Sequence, residues 1–188
     1  MRAGIDPPSF PDKPGTTTRQ DKIKRVMGQR HEGIIVLEDI HDPHNAAAVW
    51  RSCDAFGFGK VYLIFGQEER FDPKQVGKAS SSSANKWLDF EVFASTEECF
   101  KKLKEEGHTI YVTVVDKEAT SLDKISFEQK PAVCFGNEHR GLSETAIKMA
   151  DHKMYIPMKG MVQSLNLSVT AGIIMWEMTR QKYQRQKI

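Results

Sequence analysis

Residues 34–58 read IIVLEDIHDPHNAAAVWRSCDAFGF, and the stretch changes character three times. The stretch begins with an apolar run, 34–37, that indicates a buried strand. A polar segment with two histidines and a proline follows, and Asn45 then opens a helical pattern of small residues. A second apolar run, KVYLIF, occupies 60–65. Strand, helix and strand in this order predict a βαβ unit of a parallel sheet.

The same alternation continues along the chain. Strand patterns occur at 87–93, 109–115, 132–136 and 154–157, and helical patterns occur at 95–106, from Ser143 onward, and from about Ser164 to Gln181. We therefore predict an α/β fold with a mostly parallel sheet and helices on both faces.

The two ends of the chain differ from its middle. Residues 1–17, rich in proline and threonine, predict a disordered leader, and residues 18–30 predict a basic helix. Residues 31–178 would form the folded domain, and 179–188 the basic end of its last helix. Residues 19–30 carry five basic residues and one acid, and 179–188 carry four basic residues and no acid. Basic ends on an acidic body favour binding to a polyanion, although solvated helix faces would explain the same charges.

Composition excludes several classes of protein. With 188 residues, 39% hydrophobic and 28% charged, the chain fits one globular domain with a substantial core, or one domain with a small extension. No apolar run is long enough for a membrane span, and the proline-rich N-terminus is not a signal peptide. The three cysteines (Cys53, Cys99 and Cys134) are scattered in apolar segments. They predict reduced thiols in a cytoplasmic protein.

Common catalytic motifs are absent from the sequence. There is no P-loop, no G-x-G-x-x-G after the first strand and no G-x-S-x-G elbow. His41 and His44 flank an Asp-Pro turn, and no Cys/His pair completes a zinc site, so we predict no metal. Unusual polar segments instead lie between the predicted elements: HDPHN at 41–45, SSSS at 80–83, FGNEHRGLS at 135–143 and MKGMVQSLNLS at 158–168. SSSS also fits a plain linker. Because binding groups gather at the carboxyl ends of parallel strands, the other segments predict one site.

Three stretches together resemble a known family. They are LEDIHDPHNAAAVWRSCDAFGF at 37–58, VCFGNEHRGLSETAIKMAD at 133–151 and YIPMKGMVQSLNLSVTAGIIMWE at 155–177. In this order and spacing they resemble the three motifs of the SpoU-type RNA 2′-O-methyltransferases of the SPOUT superfamily. The closest type is the TrmH-like group, which methylates guanosine 18 of tRNA. The resemblance runs from about residue 19 to residue 184.

The resemblance implies properties that the residue patterns alone do not. It implies that residues 31–178 form a SPOUT methyltransferase domain whose C-terminal part is a deep trefoil knot, and that the protein is a homodimer. It also implies S-adenosyl-L-methionine as methyl donor and a ribose 2′-hydroxyl of tRNA as acceptor. Methyl transfer from a sulfonium needs no metal, but it needs the acceptor oxygen held in line with the methyl group.

The resemblance also implies the site residues. The catalytic residues would be Arg51, Asn45, Glu138, Ser164 and Asn166, and the cofactor-binding residues would be Thr113, Gly136, Ile156, Met161 and Leu165. Simpler structural roles compete with these assignments. Asn45 could be a helix N-cap, Arg51 a solvated charge, and Ser164 or Asn166 the cap of the last helix. In such enzymes the arginine is proposed as general base, but a pKa above about 12 favours an electrostatic clamp. The sequence leaves this choice open.

Basic residues outside the motifs would contact RNA phosphates. The candidates are Arg19, Lys22, Arg25, Arg30, His139, Arg140, Arg180, Lys182 and Arg185. In the family that the chain resembles, ribosomal-RNA enzymes usually carry a sizeable N-terminal domain, and short enzymes that modify the anticodon loop tend to lack a basic N-terminal helix. The resemblance and the two basic ends together therefore favour the D-loop of tRNA as the target. The alternatives are a ribosomal-RNA or tRNA anticodon-loop methyltransferase of the same fold, and a non-catalytic RNA-binding dimer.

Overall fold

The computed structural model describes residues 18–76 and 84–186. The chain divides into two compact units, Met1–Arg30 and His31–Ile188. The predicted leader at 1–17 and the SSSS segment at 80–83 lie outside the described residues.

The first unit contains one described helix, α1 (Arg19–Gly28). Its start is fixed by a capping box, in which the Asp21 N–H donates to Thr18 Oγ1 and the Thr18 N–H donates back to Asp21 Oδ2, each at 3.2 Å. The helix therefore lies where the sequence predicts a short basic helix.

The second unit is built on a parallel sheet of seven strands. The strands are β1 (His31–Glu38), β2 (Phe58–Ile64), β3 (Asp89–Phe93), β4 (Thr109–Thr113), β5 (Thr120–Ser121), β6 (Pro131–Phe135) and β7 (His152–Tyr155). Their order across the sheet is β3-β2-β1-β6-β4-β7-β5, and every pair is parallel. The predicted parallel α/β sheet is confirmed. Strand β5 was missed, because a two-residue strand has no periodicity to read.

Helices cover both faces of the sheet. They are α2 (Pro43–Phe56), α3 (Thr96–Glu105), α4 (Glu144–Met149) and α5 (Leu167–Gln186), with short 3-10 turns at Ala84–Lys86 and Leu122–Lys124. Helices α2 and α5 pack together, as do α3 and α4. In β1, Ile35 and Leu37 join the core under α2 and α5, whereas Ile34 and Val36 join the core under α3 and α4. A strand buried on both faces explains the continuous apolar run.

Two helix starts differ from the sequence prediction. Helix α2 is capped by Asp42, which accepts from the His44 N–H at 2.8 Å, and Pro43 is its first residue. The interpretation of Asn45 as N-cap is therefore wrong, and its side chain makes other contacts. Helix α5 begins at Leu167, three residues later than predicted. Asn166 Oδ1 accepts the N–H and the hydroxyl of Ser168, so Asn166 rather than Ser164 caps it.

The sheet order brings distant segments to one edge. Strand β6 follows β4 and β5 in the chain but lies between β1 and β4. The carboxyl ends of β1, β6, β4 and β7 are consequently neighbours, and the polar segments that follow them meet there.

Candidate active site

Glu138 joins the three motif segments at this edge. It follows β6, and its carboxylate accepts the backbone N–H groups of His41 at 2.9 Å and Asp42 at 3.4 Å. It also accepts Asn45 Nδ2 at 2.9 Å, while Asn45 Oδ1 accepts Asn166 Nδ2 at 3.1 Å. Side chains from residues 45, 138 and 166 therefore form one hydrogen-bonded chain.

The surroundings of Glu138 keep its carboxyl group ionised. Burial by itself raises the pKa of a carboxylate, because it disfavours the charged form. Hydrogen bonds from Asn45 Nδ2 and from the N–H groups of His41 and Asp42 outweigh that effect, so the pKa of Glu138 lies below its ordinary value. An ionised Glu138 can only accept hydrogen bonds, and this fixes Asn45 with its amide NH₂ toward Glu138.

Arg51 lies on the exposed side of α2, six residues after Asn45. The structure pairs Glu138 with Asn45 and places Arg140 Nη2 2.7 Å from Glu68. Within 18–76 and 84–186, no hydrogen bond or ion pair engages the Arg51 guanidinium. Its charge is therefore available to an anion that approaches α2.

Ser164 lies in the exposed segment between β7 and α5, two residues before Asn166. Within the same described ranges its hydroxyl makes no hydrogen bond. Four of the five residues implied as catalytic thus lie in three segments that Glu138 links, and the fifth, Arg51, lies on the same helix as Asn45.

The residues implied as cofactor-binding follow adjacent strands. Thr113 ends β4, Gly136 directly follows β6, and Ile156 directly follows β7. Since β6, β4 and β7 are neighbours, these three lie side by side at the carboxyl edge. Met161 and Leu165 lie in the segment that leads to α5, where Met161 is fully exposed and Leu165 is half-buried.

Gly136 has a local reason to be glycine. A Cβ at this position would lie 2.3 Å from the carbonyl carbon of Gly141 and 2.4 Å from the nitrogen of Leu142. Both are backbone atoms, which cannot move aside as a side chain could. The loop from 136 to 142 therefore folds back tightly on the end of β6.

A fourth segment, after β2, also reaches the site, and sequence reasoning missed it. Asp39 has a left-handed backbone with φ of 50°, and its Oδ1 accepts three successive N–H groups, those of residues 66–68. Glu68 in turn lies 2.9 Å from His41 Nδ1 and 2.7 Å from Arg140 Nη2. The hydrogen bond and charge of Glu68 raise the pKa of His41. The polar run GQEE at 66–69, directly after a buried strand, was the available signal.

The candidate RNA-binding residues differ in their exposure and in the contacts that their side chains make. His139 is exposed, with its ring 5.7 Å from that of His41. In α5, Arg180 is paired with Glu177 at 2.6 Å, and Arg185 Nη1 donates to the Phe127 carbonyl at 2.5 Å. Burial lowers the pKa of Lys182. Arg25 and Arg30 lie in the first unit, and the side chains of Arg19 and Lys22 lie outside the described part.

Two other kinds of functional feature are absent from residues 18–76 and 84–186. These ranges contain no cluster of three or more His, Cys, Asp or Glu side chains arranged to hold a metal ion. They also contain no helix with the length and hydropathy of a membrane span.

The parallel sheet and the linked motif segments define an α/β protein of the SpoU type. The chain belongs to the SpoU rRNA Methylase family, whose model matches residues 32–176. The family resemblance drawn from the three motifs is thereby confirmed.

Individual proteins that are similar to this chain give a more specific comparison than the family does. A tRNA (guanosine(18)-2'-O)-methyltransferase from Thermus thermophilus is 36% identical over 170 residues, which are 89% of this chain and 84% of that enzyme. The crystal structure of the TrmH/SpoU tRNA modifying enzyme from A. aeolicus matches with a TM-score of 0.76 and 28% identity, covering 89% of this chain and 85% of that one. A solved structure concerned with the 2-OH methylation of C/U34 on tRNA matches with a TM-score of 0.72 and 28% identity, covering 81% and 97%.

Proposed function

We propose that this protein is an S-adenosyl-L-methionine-dependent tRNA (guanosine-18) 2′-O-methyltransferase. The observation that carries the proposal is 36% identity to an enzyme of that name over 84% of its length. The hydrogen-bonded chain from Glu138 through Asn45 to Asn166 supports it, because it joins all three motif segments.

The segment between β7 and α5 offers apolar side chains to the adenine ring of a methyl donor. Met158, Met161 and Val162 are exposed in this segment, which follows β7. Thr113, Gly136, Ile156, Met161 and Leu165 would hold S-adenosylmethionine. When bound, it supplies an electrophilic methyl group on a sulfonium. The exposed apolar side chains would cover the adenosine and exclude water.

Arg51 acts as an electrostatic stabiliser in this proposal. A guanidinium stays protonated at any physiological pH, so it is a poor acceptor for the 2′-hydroxyl proton. It can hold an RNA phosphate and stabilise the negative charge that develops on the ribose oxygen. Asn45, oriented by Glu138, and Asn166 and Ser164 would position the ribose and the donor in line.

We infer that the protein is a homodimer formed through α5. Val169, Ile173, Trp176 and Tyr183 are between 37% and 48% exposed, and their spacing places them along one stripe of the helix. The opposite side of α5 buries Ala171, Ile174, Met175 and Met178 in the core. A second copy is the occupant that the family resemblance implies, and the stripe begins three residues after Asn166, next to the site.

We also propose a trefoil knot in the C-terminal part. The insertion of β6 between β1 and β4, followed by a return to β7 on the far side of β4, supports it. Stretching the unfolded chain from its two ends tests the proposal. A tightened knot shortens the maximal extension below that expected for the residues pulled, whereas full extension would contradict it.

We propose that each segment of the chain has the function that the sequence predicts for it. Residues 31–178 form the SPOUT methyltransferase domain, and 18–30 and 179–188 supply basic residues to tRNA. His139 and Arg140 lie beside Glu138 and would contact RNA near the reacting ribose. The three cysteines are buried with free thiols, which supports a reducing, cytoplasmic location.

The test is methyl transfer from labelled S-adenosylmethionine to unmodified tRNA transcripts, followed by mapping of the modified nucleotide. We expect label on guanosine 18. A matched transcript with 2′-deoxyguanosine at position 18 lacks the acceptor oxygen and should take no label.

The same assay separates the alternatives. The second candidate is an enzyme that methylates the anticodon loop. The similarity to the solved structure concerned with 2-OH methylation of C/U34 on tRNA favours it. Label at position 34, or on ribosomal RNA alone, would overturn the guanosine-18 assignment. Binding of tRNA without any label would favour the non-catalytic dimer.

A further inference from the structure

Glu68 lies outside all three motifs but contacts the loop that carries Glu138. Its Oε1 accepts Asn137 Nδ2 at 3.2 Å and pairs with Arg140 Nη2 at 2.7 Å. Its Oε2 lies 2.9 Å from His41 Nδ1. The Glu68 carboxylate thus joins the segment after β1 to both sides of Glu138 in the loop after β6.

The Glu68 backbone is itself held in place. Its N–H donates to Asp39 Oδ1 at 3.2 Å, beside those of Gly66 and Gln67 at 2.7 and 2.9 Å. Asp39 adopts a left-handed backbone, which aspartate tolerates better than most residues with a side chain. The surrounding contacts maintain this conformation, so the segment after β2 is fixed to the end of β1.

The loop from 137 to 141 is closed on itself. Asn137 and Gly141 exchange backbone hydrogen bonds of 3.0 and 2.9 Å, and Asn137 Oδ1 accepts the N–H groups of His139 and Arg140. Asn137 is buried, and its Nδ2 also donates to the Asp39 carbonyl at 2.7 Å. The loop is therefore held together by its own hydrogen bonds, and Glu68 is one of its outside contacts.

We propose that Glu68 is a positioning residue for methyl transfer, a role that rests on the proposed function. It holds the loop so that the Glu138 carboxylate meets Asn45, and it holds His41, whose backbone N–H donates to Glu138. Glu68 acts through these groups and touches neither substrate nor donor.

Removal of this anchor lets Glu138 and Asn45 drift from their productive placement. A displacement of about 1 Å in a catalytic group can cost on the order of 100-fold in rate. We therefore expect Glu68→Ala to lower kcat by roughly 10- to 100-fold, with a much smaller change in KM for tRNA.

The neighbouring Glu69 offers a matched control. It is exposed, and no hydrogen bond or ion pair in the described ranges engages it. Glu69→Ala removes the same charge one residue away, so we expect its kcat to equal that of the wild type. Equal losses in the two variants, or a wild-type kcat in Glu68→Ala, would overturn the proposal.

The conservative variant Glu68→Gln tests whether Glu68 acts through its hydrogen bonds or through its negative charge. Its amide oxygen can still accept from Asn137 and Arg140, and its NH₂ can donate to a neutral His41. We expect its kcat above the pKa of His41 to lie within about threefold of the wild type. A loss as large as that of Glu68→Ala would contradict an anchoring role.

A nuclear magnetic resonance titration of His41 gives a readout independent of activity. Glu68, Glu138 and Asp42 all raise the pKa of His41, and the contribution of Glu68 is the largest. The ring of His139 is the other titratable group beside it. Glu68→Gln should lower this pKa, and Glu69→Ala should leave it unchanged. An unmoved value in Glu68→Gln would show that the pair does not form.

The two proposals fail in distinguishable ways. A folded wild-type chain that labels no RNA overturns the proposed function and the positioning role together, although the titration would still report the pair. Label on guanosine 18 by the wild type, with no selective loss in Glu68→Ala, overturns the positioning role alone.

Discussion

At the scale of single residues, Asn45 shows how a residue's role depends on its neighbours in space. The sequence offers it as a helix N-cap, but Asp42 caps α2 and leaves the Asn45 amide between Glu138 and Asn166. Pro43 was a usable signal, because proline favours the first helical position. The shared site of Asn45 and Glu138 was predictable from the rule that polar groups gather at the carboxyl ends of parallel strands. Their direct hydrogen bond was not predictable, since 93 residues separate the two in the chain.

Replacement of Arg51 tests the electrostatic role. Arg51→Ala should lower kcat by about 100- to 1,000-fold, because the variant has no charge to stabilise the ribose oxygen. Binding of S-adenosylmethionine, measured by calorimetry, should be unchanged. Arg70 is also exposed, and Arg70→Ala serves as the control with wild-type turnover. A normal kcat in Arg51→Ala would remove Arg51 from the site.

Protonation of Glu138 predicts a loss of stability in acid. The pKa of Glu138 in the folded protein lies below its ordinary value. The ionised carboxylate therefore contributes its full stabilisation at pH values above the ordinary pKa, and the protein loses this stabilisation as the pH falls through the lowered pKa. Urea unfolding from about pH 7 to pH 3 measures this loss. Glu138→Gln should flatten that part of the profile. It should also cost roughly 1–3 kcal/mol at neutral pH, because its NH₂ would face N–H donors.

At the scale of elements, strand and helix positions were predictable because they follow local periodicity. The buried runs of β1, β2, β4 and β6 and the caps Ser95 and Ser143 are visible in the sequence. The start of α5 was not, because Gln163, Ser164 and Asn166 are all polar and only the fold shows which one caps.

The cap of α2 gives a prediction at this scale. Asp42→Ala should destabilise the protein by about 1 kcal/mol, because the N–H of His44 would have no acceptor. Asp42→Ser keeps an acceptor oxygen and should recover most of that stability. The midpoints of urea unfolding compare the two. Equal midpoints for Ala and Ser would mean that the side-chain bond contributes nothing.

At the scale of the whole molecule, the order of strands could not be read from the sequence. Each strand pattern indicates that a segment is buried. Which strands pair with each other depends on contacts between segments that lie far apart in the chain. The position of β6 between β1 and β4 and the link from Glu68 to the loop after β6 both belong to this class.

The exposed stripe of α5 predicts the assembly state. In the proposed dimer, Trp176→Glu or Ile173→Glu should yield monomers, because a charge would be buried in an apolar contact. Sedimentation velocity measures the change. Val115 is 87% exposed and lies outside α5, so Val115→Glu is the control that stays dimeric. A dimer that persists in both stripe variants would place the interface elsewhere.

The basic ends predict that tRNA binding depends on salt concentration. Replacement of Arg19, Lys22, Arg25 and Arg30 by glutamine should lower the slope of log K against log salt by roughly 0.7–0.9 for each phosphate that the variant no longer binds. Replacement of Arg180 and Arg185, which contact Glu177 and the Phe127 carbonyl, should lower the slope by the same amount for each phosphate that the variant no longer binds. Filter binding across salt concentrations measures both. An unchanged slope in the first variant would exclude residues 19–30 from the interface with tRNA.

The place of β6 in the sheet has a consequence for biosynthesis. Strand β4 pairs with β6 and β7, and both of these follow it in the chain. A nascent chain that has left the ribosome only as far as residue 130 can pair β3, β2 and β1, but β4 has neither neighbour and the far side of β1 is open. Completion of the sheet must therefore wait for the synthesis of residues 131–155, and until then these open edges need protection from neighbouring chains.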